Sequence, residues 1–345
     1  MSWVRIVLRS FALAFVASLI AVLVVAMRRG DDAHGVTART TAGVHDPLIP
    51  PRESNHDLFE HGFIERYRQI LGCGRGRVNQ LTTNRELTGF DGAGGLDPGT
   101  RDPASRNFLL TLSSDGASVP RRFEKDLQAG ARRAYDLWRD WLGETALVPT
   151  RINLRIVGDE QRFDELYGQT PSRVRAVGFY RIRSNEAFVL YAPPYRRNAL
   201  ATAFHEMSHL ITAWHLGPTP PWLNEGIAEY LETLRVELQL TRFEPSQQHL
   251  RVLRQSGMVQ LRALLEIPRG EWGQGNAHLR YATAWAVVAF LQSSSQGRET
   301  LRNVIEEAYR TRCDGTAEIS GALYRYAGGI EQLERDLRLW LRTLN

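Results

Sequence analysis

Lysine is almost missing from this chain. Of 43 basic side chains, Lys125 is the only lysine, and the rest are arginines spread along the whole sequence. No stripe or cluster of them forms, and no known nucleic-acid module is present, so a nucleic-acid partner is excluded. A bias this broad reads as genome base composition. The net charge of +5 leaves attraction to an anionic membrane surface or an acidic polymer open. Cysteine is scarce as well. Cys73 and Cys313 are the only two, and neither has a Cys or His at ligand spacing, which excludes a cysteine-based zinc cluster. In an oxidising compartment they can form one disulfide, tying the segment ahead of the main domain to the C-terminal helices. No internal repeat of fixed period occurs, which excludes solenoids and propellers.

What is present begins with one uncharged run. Arg5 and Arg9 precede Ser10–Met27, which carries no charge over 18 residues, and Arg28 and Arg29 follow. As a helix this run spans about 27 Å, near the minimum for a bilayer core. No small-x-small cleavage site follows it directly, so residues 1–29 read as a signal anchor, with a cleaved signal peptide as the alternative. Charges on both sides leave the positive-inside rule undecided. A globular domain behind a single N-terminal helix favours an external C-terminal side.

Residues 30–105 read as linker and a small Gly-rich pre-domain. Positions 30–55 are rich in Gly, Asp, Thr, Pro and Arg, and 84–105 hold a second group of Gly and Pro. With 43% hydrophobic and 23% charged residues, the remainder, 106–345, can build a sizeable core. Phe108–Leu112 and Ile152–Val157 read as strands, and Val119–Leu142 as a long amphipathic helix. Gly178–Arg183 and Ala187–Tyr191 have the β-branched and aromatic content of two strands joined at Ser184–Glu186. After residue 230 the pattern is mainly helical, through Leu261–Leu265, Tyr281–Gln292, Leu301–Thr311 and Ile330–Leu344. A small mixed sheet, then a central helix, then a helical lobe predicts an α+β fold, with a cleft between sheet and lobe.

The chemistry lies in His205-Glu206-Met207-Ser208-His209. Two histidines four apart on a helix project from one face, so both imidazoles can bind one metal ion. Glu206 between them can reach a metal-bound water as general base. The flanks, Ala199–Phe204 and Leu210–Trp214, are mostly apolar, and burying these polar groups without partners would be costly. A catalytic zinc usually takes a third protein ligand and keeps a position for water. Two candidates follow. Glu225 lies beyond Pro220-Pro221 in the first turn of a second helix, with Glu229 one turn later on the same face. Glu229 can then hydrogen-bond the free nitrogen of a ligand histidine. His215 is the other candidate, at the third-ligand position of the metzincin pattern. That pattern needs a glycine where this chain has Thr212, so Glu225 is preferred. Tyr281, with His278 as alternative, is the candidate donor to a developing oxyanion.

Together, His205–His209 and Trp222-Leu223-Asn224-Glu225-Gly226 resemble the gluzincins, the thermolysin and aminopeptidase N group. Within it the chain is most similar to an uncharacterised bacterial family of peptidase-MA-like domains, over roughly 106–345. The resemblance implies a thermolysin-like zincin domain, with sheet and active-site helix to about 232 and a helical lobe after. It implies one Zn2+ per chain on His205, His209 and Glu225, with base Glu206 and Glu229 in the supporting acidic position. It also implies an edge strand that pairs with an extended peptide. Fifteen residues separate His209 from Glu225, fewer than in aminopeptidase N, and the Gly-x-Met-Glu-Asn motif for a substrate amino terminus is absent. The expectation is a zinc metallopeptidase acting on a peptide or protein, single-pass in a bacterial membrane with its domain periplasmic or extracellular. The alternatives are a non-catalytic envelope binding or scaffold protein on the same fold, and an enzyme using His215.

Overall fold

The structure, a computed structural model, describes residues 108–143, 146–147, 150–168, 176–182, 184–238, 240–313 and 319–344, together with Cys73. All of them fall within the unit Pro47–Asn345. Ser10–Met27 and the linkers 30–55 and 84–105 lie outside the described residues. Among the described residues no helix is long and apolar enough to cross a membrane.

The fold is mixed α+β, mostly helical with a small sheet. Strand β1 (Phe108–Asp115) leads through helix α1 (Arg121–Leu142) to β2 (Thr150–Val157). Next come α2 (Glu160–Tyr167), β3 (Gly178–Arg181) and β4 (Glu186–Leu190). The sheet order is β1-β2-β4-β3, parallel across its first three strands, with β3 antiparallel on the edge beside β4. Period-two alternation decides what each face buries. Ile152, Leu154, Ile156, Ala187 and Val189 join the main core with α1. Val157, Phe188 and Leu190 point the other way, into a smaller cluster with Phe163 of α2. There Phe179 and Phe188, paired across β3 and β4, stack at 4.4 Å.

A short 3-10 turn (Tyr195–Asn198) feeds α3 (Ala199–Leu216), and α4 (Pro221–Glu232) follows after four residues. Helix α3 is buried on nearly every side, as expected for a helix apolar all round. It ends at Gly217, whose φ of 67° is readily reached only without a Cβ. Pro221 opens α4 at a position where the missing N–H costs nothing.

From there the chain departs from the helical expectation. Strands β5 (Leu234–Glu237) and β6 (Leu240–Phe243) form an antiparallel hairpin, turning at Leu238 with φ 50°. Its sequence, Leu-Arg-Val-Glu then Leu-Thr-Arg-Phe, alternates apolar and polar residues. That is a period of two, which a helical reading passes over. Helices α5 (Gln247–Ser256), α6 (Leu261–Glu266), α7 (Arg269–Trp272), α8 (Ala277–Ser293), α9 (Ser295–Thr311), α10 (Gly321–Tyr324) and α11 (Gly329–Thr343) complete the lobe. Helix α8 starts one turn earlier than its apolar run, because the Asn276 side chain accepts from Leu279 N at 3.3 Å and caps it. It packs along α4, α5 and α9. Cys73 is bonded to Cys313, just past α9, with Cα atoms 5.4 Å apart.

Candidate metal centre

Helices α3 and α4 are packed side by side, and the candidate ligands meet between them. His205 and His209, one turn apart on α3, bring their Nε2 atoms to 3.0 Å. Glu225 Oε2 of α4 lies 3.8 Å from the first and 3.6 Å from the second. Tetrahedral bonds of about 2.0–2.2 Å set neighbouring ligand atoms about 3.3–3.6 Å apart; the three separations here bracket that range, with the two nitrogens closer and Glu225 Oε2 slightly farther from His205. Glu225 is in the second turn of its helix, one turn later than the sequence suggested, because α4 begins at Pro221. Asn224 Nδ2 donates to Glu225 Oε1 at 3.2 Å and leaves Oε2 facing the histidines. His205 is wholly buried and Glu225 nearly so, while the His209 side chain is 15% exposed and opens the group on one side.

The His205 ring is held from its far side. His205 Nδ1 lies 3.0 Å from Glu232 Oε2. A carboxylate only accepts, so this nitrogen carries a proton, and whenever the ring is neutral its lone pair is at Nε2. His209 Nε2 faces His205 Nε2, while its buried Nδ1 has no hydrogen-bond partner among the described residues. Two imidazole Nε2 atoms at 3.0 Å, with a carboxylate beside them, form a donor set that can hold a metal ion.

The carboxylate that meets His205 Nδ1 is therefore Glu232 and not Glu229. Glu229 Oε1 stands 3.8 Å from that nitrogen, beyond hydrogen-bond reach. Its other oxygen, Oε2, accepts from His249 Nε2 of α5 at 2.7 Å. Burial, the largest effect on the Glu229 carboxyl, and the neighbouring Glu232 push its pKa up. The His249 charge and hydrogen bond, with the His205 charge, outweigh them and hold it below the usual range. Glu232 and His249 went unnoticed in the sequence. Glu232 had a signal, since it is seven residues after Glu225 and so on the same helical face. His249 had none, because only the fold carries α5 to α4.

Glu206 is 2% exposed, next to His205 on α3. Its carboxylate lies directly under the start of the edge strand. A Cβ built on Gly178 would stand 2.7 Å from Glu206 Oε1 and 2.5 Å from Thr202 Cγ2, so only glycine lets β3 approach this closely. Tyr281 is buried within α8, edge-on to Trp272 at 5.8 Å. It comes one turn before Ala284, whose carbonyl faces Gly226 of α4. His278 is in the first turn of α8. His215 is removed from the metal group: it is buried near the end of α3, stacks on Trp138 at 5.7 Å and has Nδ1 3.0 Å from Ile211 O. No family model matches the chain, and no curated protein matches it.

Proposed function

We propose that this protein is a zinc-dependent metallopeptidase of gluzincin type on a thermolysin-like zincin fold. In this reading it acts outside the cytoplasm and is held at the membrane by its N-terminal apolar segment. The observation that carries the reading is the convergence of His205 Nε2, His209 Nε2 and Glu225 Oε2 within 3.0–3.8 Å, with the buried Glu206 carboxylate on the next residue. A site that only held a metal for structure has no need of that carboxylate. Two imidazoles and one carboxylate suit zinc among the common divalent ions.

When bound, zinc supplies Lewis-acid activation of a water molecule and of the scissile carbonyl. The chain's own groups do the rest. Glu206 takes a proton from the water as the water oxygen attacks the carbonyl carbon. As the peptide C–N bond breaks, the same carboxyl returns the proton to the departing amine nitrogen. The edge strand β3 supports an extended peptide lying alongside by strand addition, since Gly178 at its start touches Glu206. Tyr281 is the proposed donor to the oxyanion, on the helix that flanks α4. The disulfide fits an oxidising compartment.

The test is Glu206→Gln in the full-length chain, assayed on a mixed peptide library read by mass spectrometry. Wild type is expected to cleave, and the variant to lose at least about 100-fold of the rate while keeping its zinc. A variant as active as wild type would remove Glu206 from the mechanism.

A further inference from the structure

Helix α4 directs three carboxylates, Glu225, Glu229 and Glu232, toward His205. Each stands in a different relation to that ring. Glu225 approaches Nε2, Glu232 meets Nδ1 at 3.0 Å, and Glu229 stands off Nδ1 at 3.8 Å. Two acceptors thus compete for one N–H. A buried carboxylate without a donor is costly, so Glu229 would close on Nδ1 unless something else held it. His249 does so, at 2.7 Å from the far oxygen. The histidine is itself fixed: its ring packs against Trp285 at 5.4 Å, and its backbone N–H is capped by Ser246 Oγ at 3.3 Å.

We propose that His249 is a positioning residue for the metal centre. It holds Glu229 away from His205, so that Glu232 alone sets the tautomer and tilt of the imidazole whose Nε2 faces the ion. The effect on the metal is indirect, through Glu229 and His205, and the inference rests on the metal reading given above. A rival use of the same atoms is a second ion, because His205, Glu229 and Glu232 also bring ligand atoms within 4.8 Å of one another. That would need His205 to give up its Nδ1 proton and bridge two metals. The His249 hydrogen bond to Glu229 makes this unnecessary.

Zinc stoichiometry and Kd, from chelator competition on the full-length chain, test the inference alongside thermal unfolding. Wild type is expected to bind one zinc. His249→Leu, which keeps an apolar side chain against Trp285, is expected to bind zinc about tenfold more weakly. His249→Gln, which restores a donor, is expected to recover most of that loss. In a Glu229→Gln background the His249→Leu effect should vanish, since no carboxylate remains to restrain. A merely structural His249 would lower the unfolding temperature and leave Kd of the folded protein unchanged, which overturns the proposal alone. Two zinc ions per wild-type chain would overturn it in favour of the bridged site. No zinc in folded wild type would overturn both it and the metal reading. If His249→Leu does not fold, His249→Phe, which keeps a ring on Trp285, carries the same comparison.

Discussion

Adding one methyl group at Gly226 tests how closely the proposed metal centre depends on the packing of α4 against α8. Gly226 follows Glu225, and a Cβ built there would lie 2.8 Å from the Ala284 carbonyl oxygen and 2.9 Å from Val288 Cγ2. Comfortable heavy-atom contact begins at about 3.5 Å, so roughly 0.7 Å is missing. Val288 is fully buried, and the Ala284 oxygen is helix backbone, so the two helices must part. Two terms then oppose each other. Replacing glycine by alanine inside a helix gains about 1 kcal/mol, while over-packing a close-packed core costs about 1–3 kcal/mol. The net expectation for Gly226→Ala is a loss of about 1 kcal/mol, or about 2–4 °C in Tm for a domain of this size. Glu225 moves with its helix, and metal sites tolerate only about 0.2 Å in ligand distance, so zinc Kd should rise about tenfold. Calorimetry and chelator competition on the same sample measure both. A variant that melts higher than wild type with an unchanged Kd would refute the reasoning, because helix propensity would then have won and the contact would have room.

Two further outcomes are expected. Glu225→Ala should weaken zinc binding by more than about 100-fold, whereas His215→Ala should keep the metal and lose stability through its contact with Trp138; elemental analysis of both variants separates the two candidates for third ligand. Tyr230, stacked on Phe243 at 4.3 Å, has its hydroxyl pushed up to about 12 by burial, against the lowering effect of Arg133 and Arg298. The unfolded chain ionises this group near 10, so its contribution is fully present below pH 10 and is lost as pH rises through 12. That is about 2–3 kcal/mol, and denaturant midpoints at pH 9 and 11 should converge in Tyr230→Phe relative to wild type.

Much of the architecture was legible because it rests on periodicity. The alternation in Ile152–Val157, the apolar stripe of α1 and the apolar run of α3 each announce their element type, and the elements formed where those patterns lie. The small mixed sheet followed from the same reading. The hairpin at 234–243 was lost because it is short and lies between two helical stretches. Helix starts were misjudged where a capping side chain, as at Asn276, or an opening proline, as at Pro221, rather than an apolar residue fixes them. At the centre, spacing alone could nominate His205, His209 and Glu225, and the distances bring them to one point. Spacing could not divide labour between Glu229 and Glu232, which share a helical face. A difference of 0.8 Å at His205 Nδ1 decides it, and that depends on how far α4 is rotated by its packing on α8. His249 reaches the centre through the tertiary fold and leaves no local trace.

The bond between Cys73 and Cys313 makes the chain between them a closed loop, and every element from β1 through α9 lies on it. A single backbone cut anywhere on that loop opens it without releasing a piece. Under non-reducing conditions a nicked molecule would therefore migrate as one intact species, and only reductant would part the halves. For a protein proposed to cut peptides, self-inflicted or foreign nicks can thus accumulate without loss of any segment. Survival of the assembled molecule then depends on the redox state around it as much as on the integrity of its backbone.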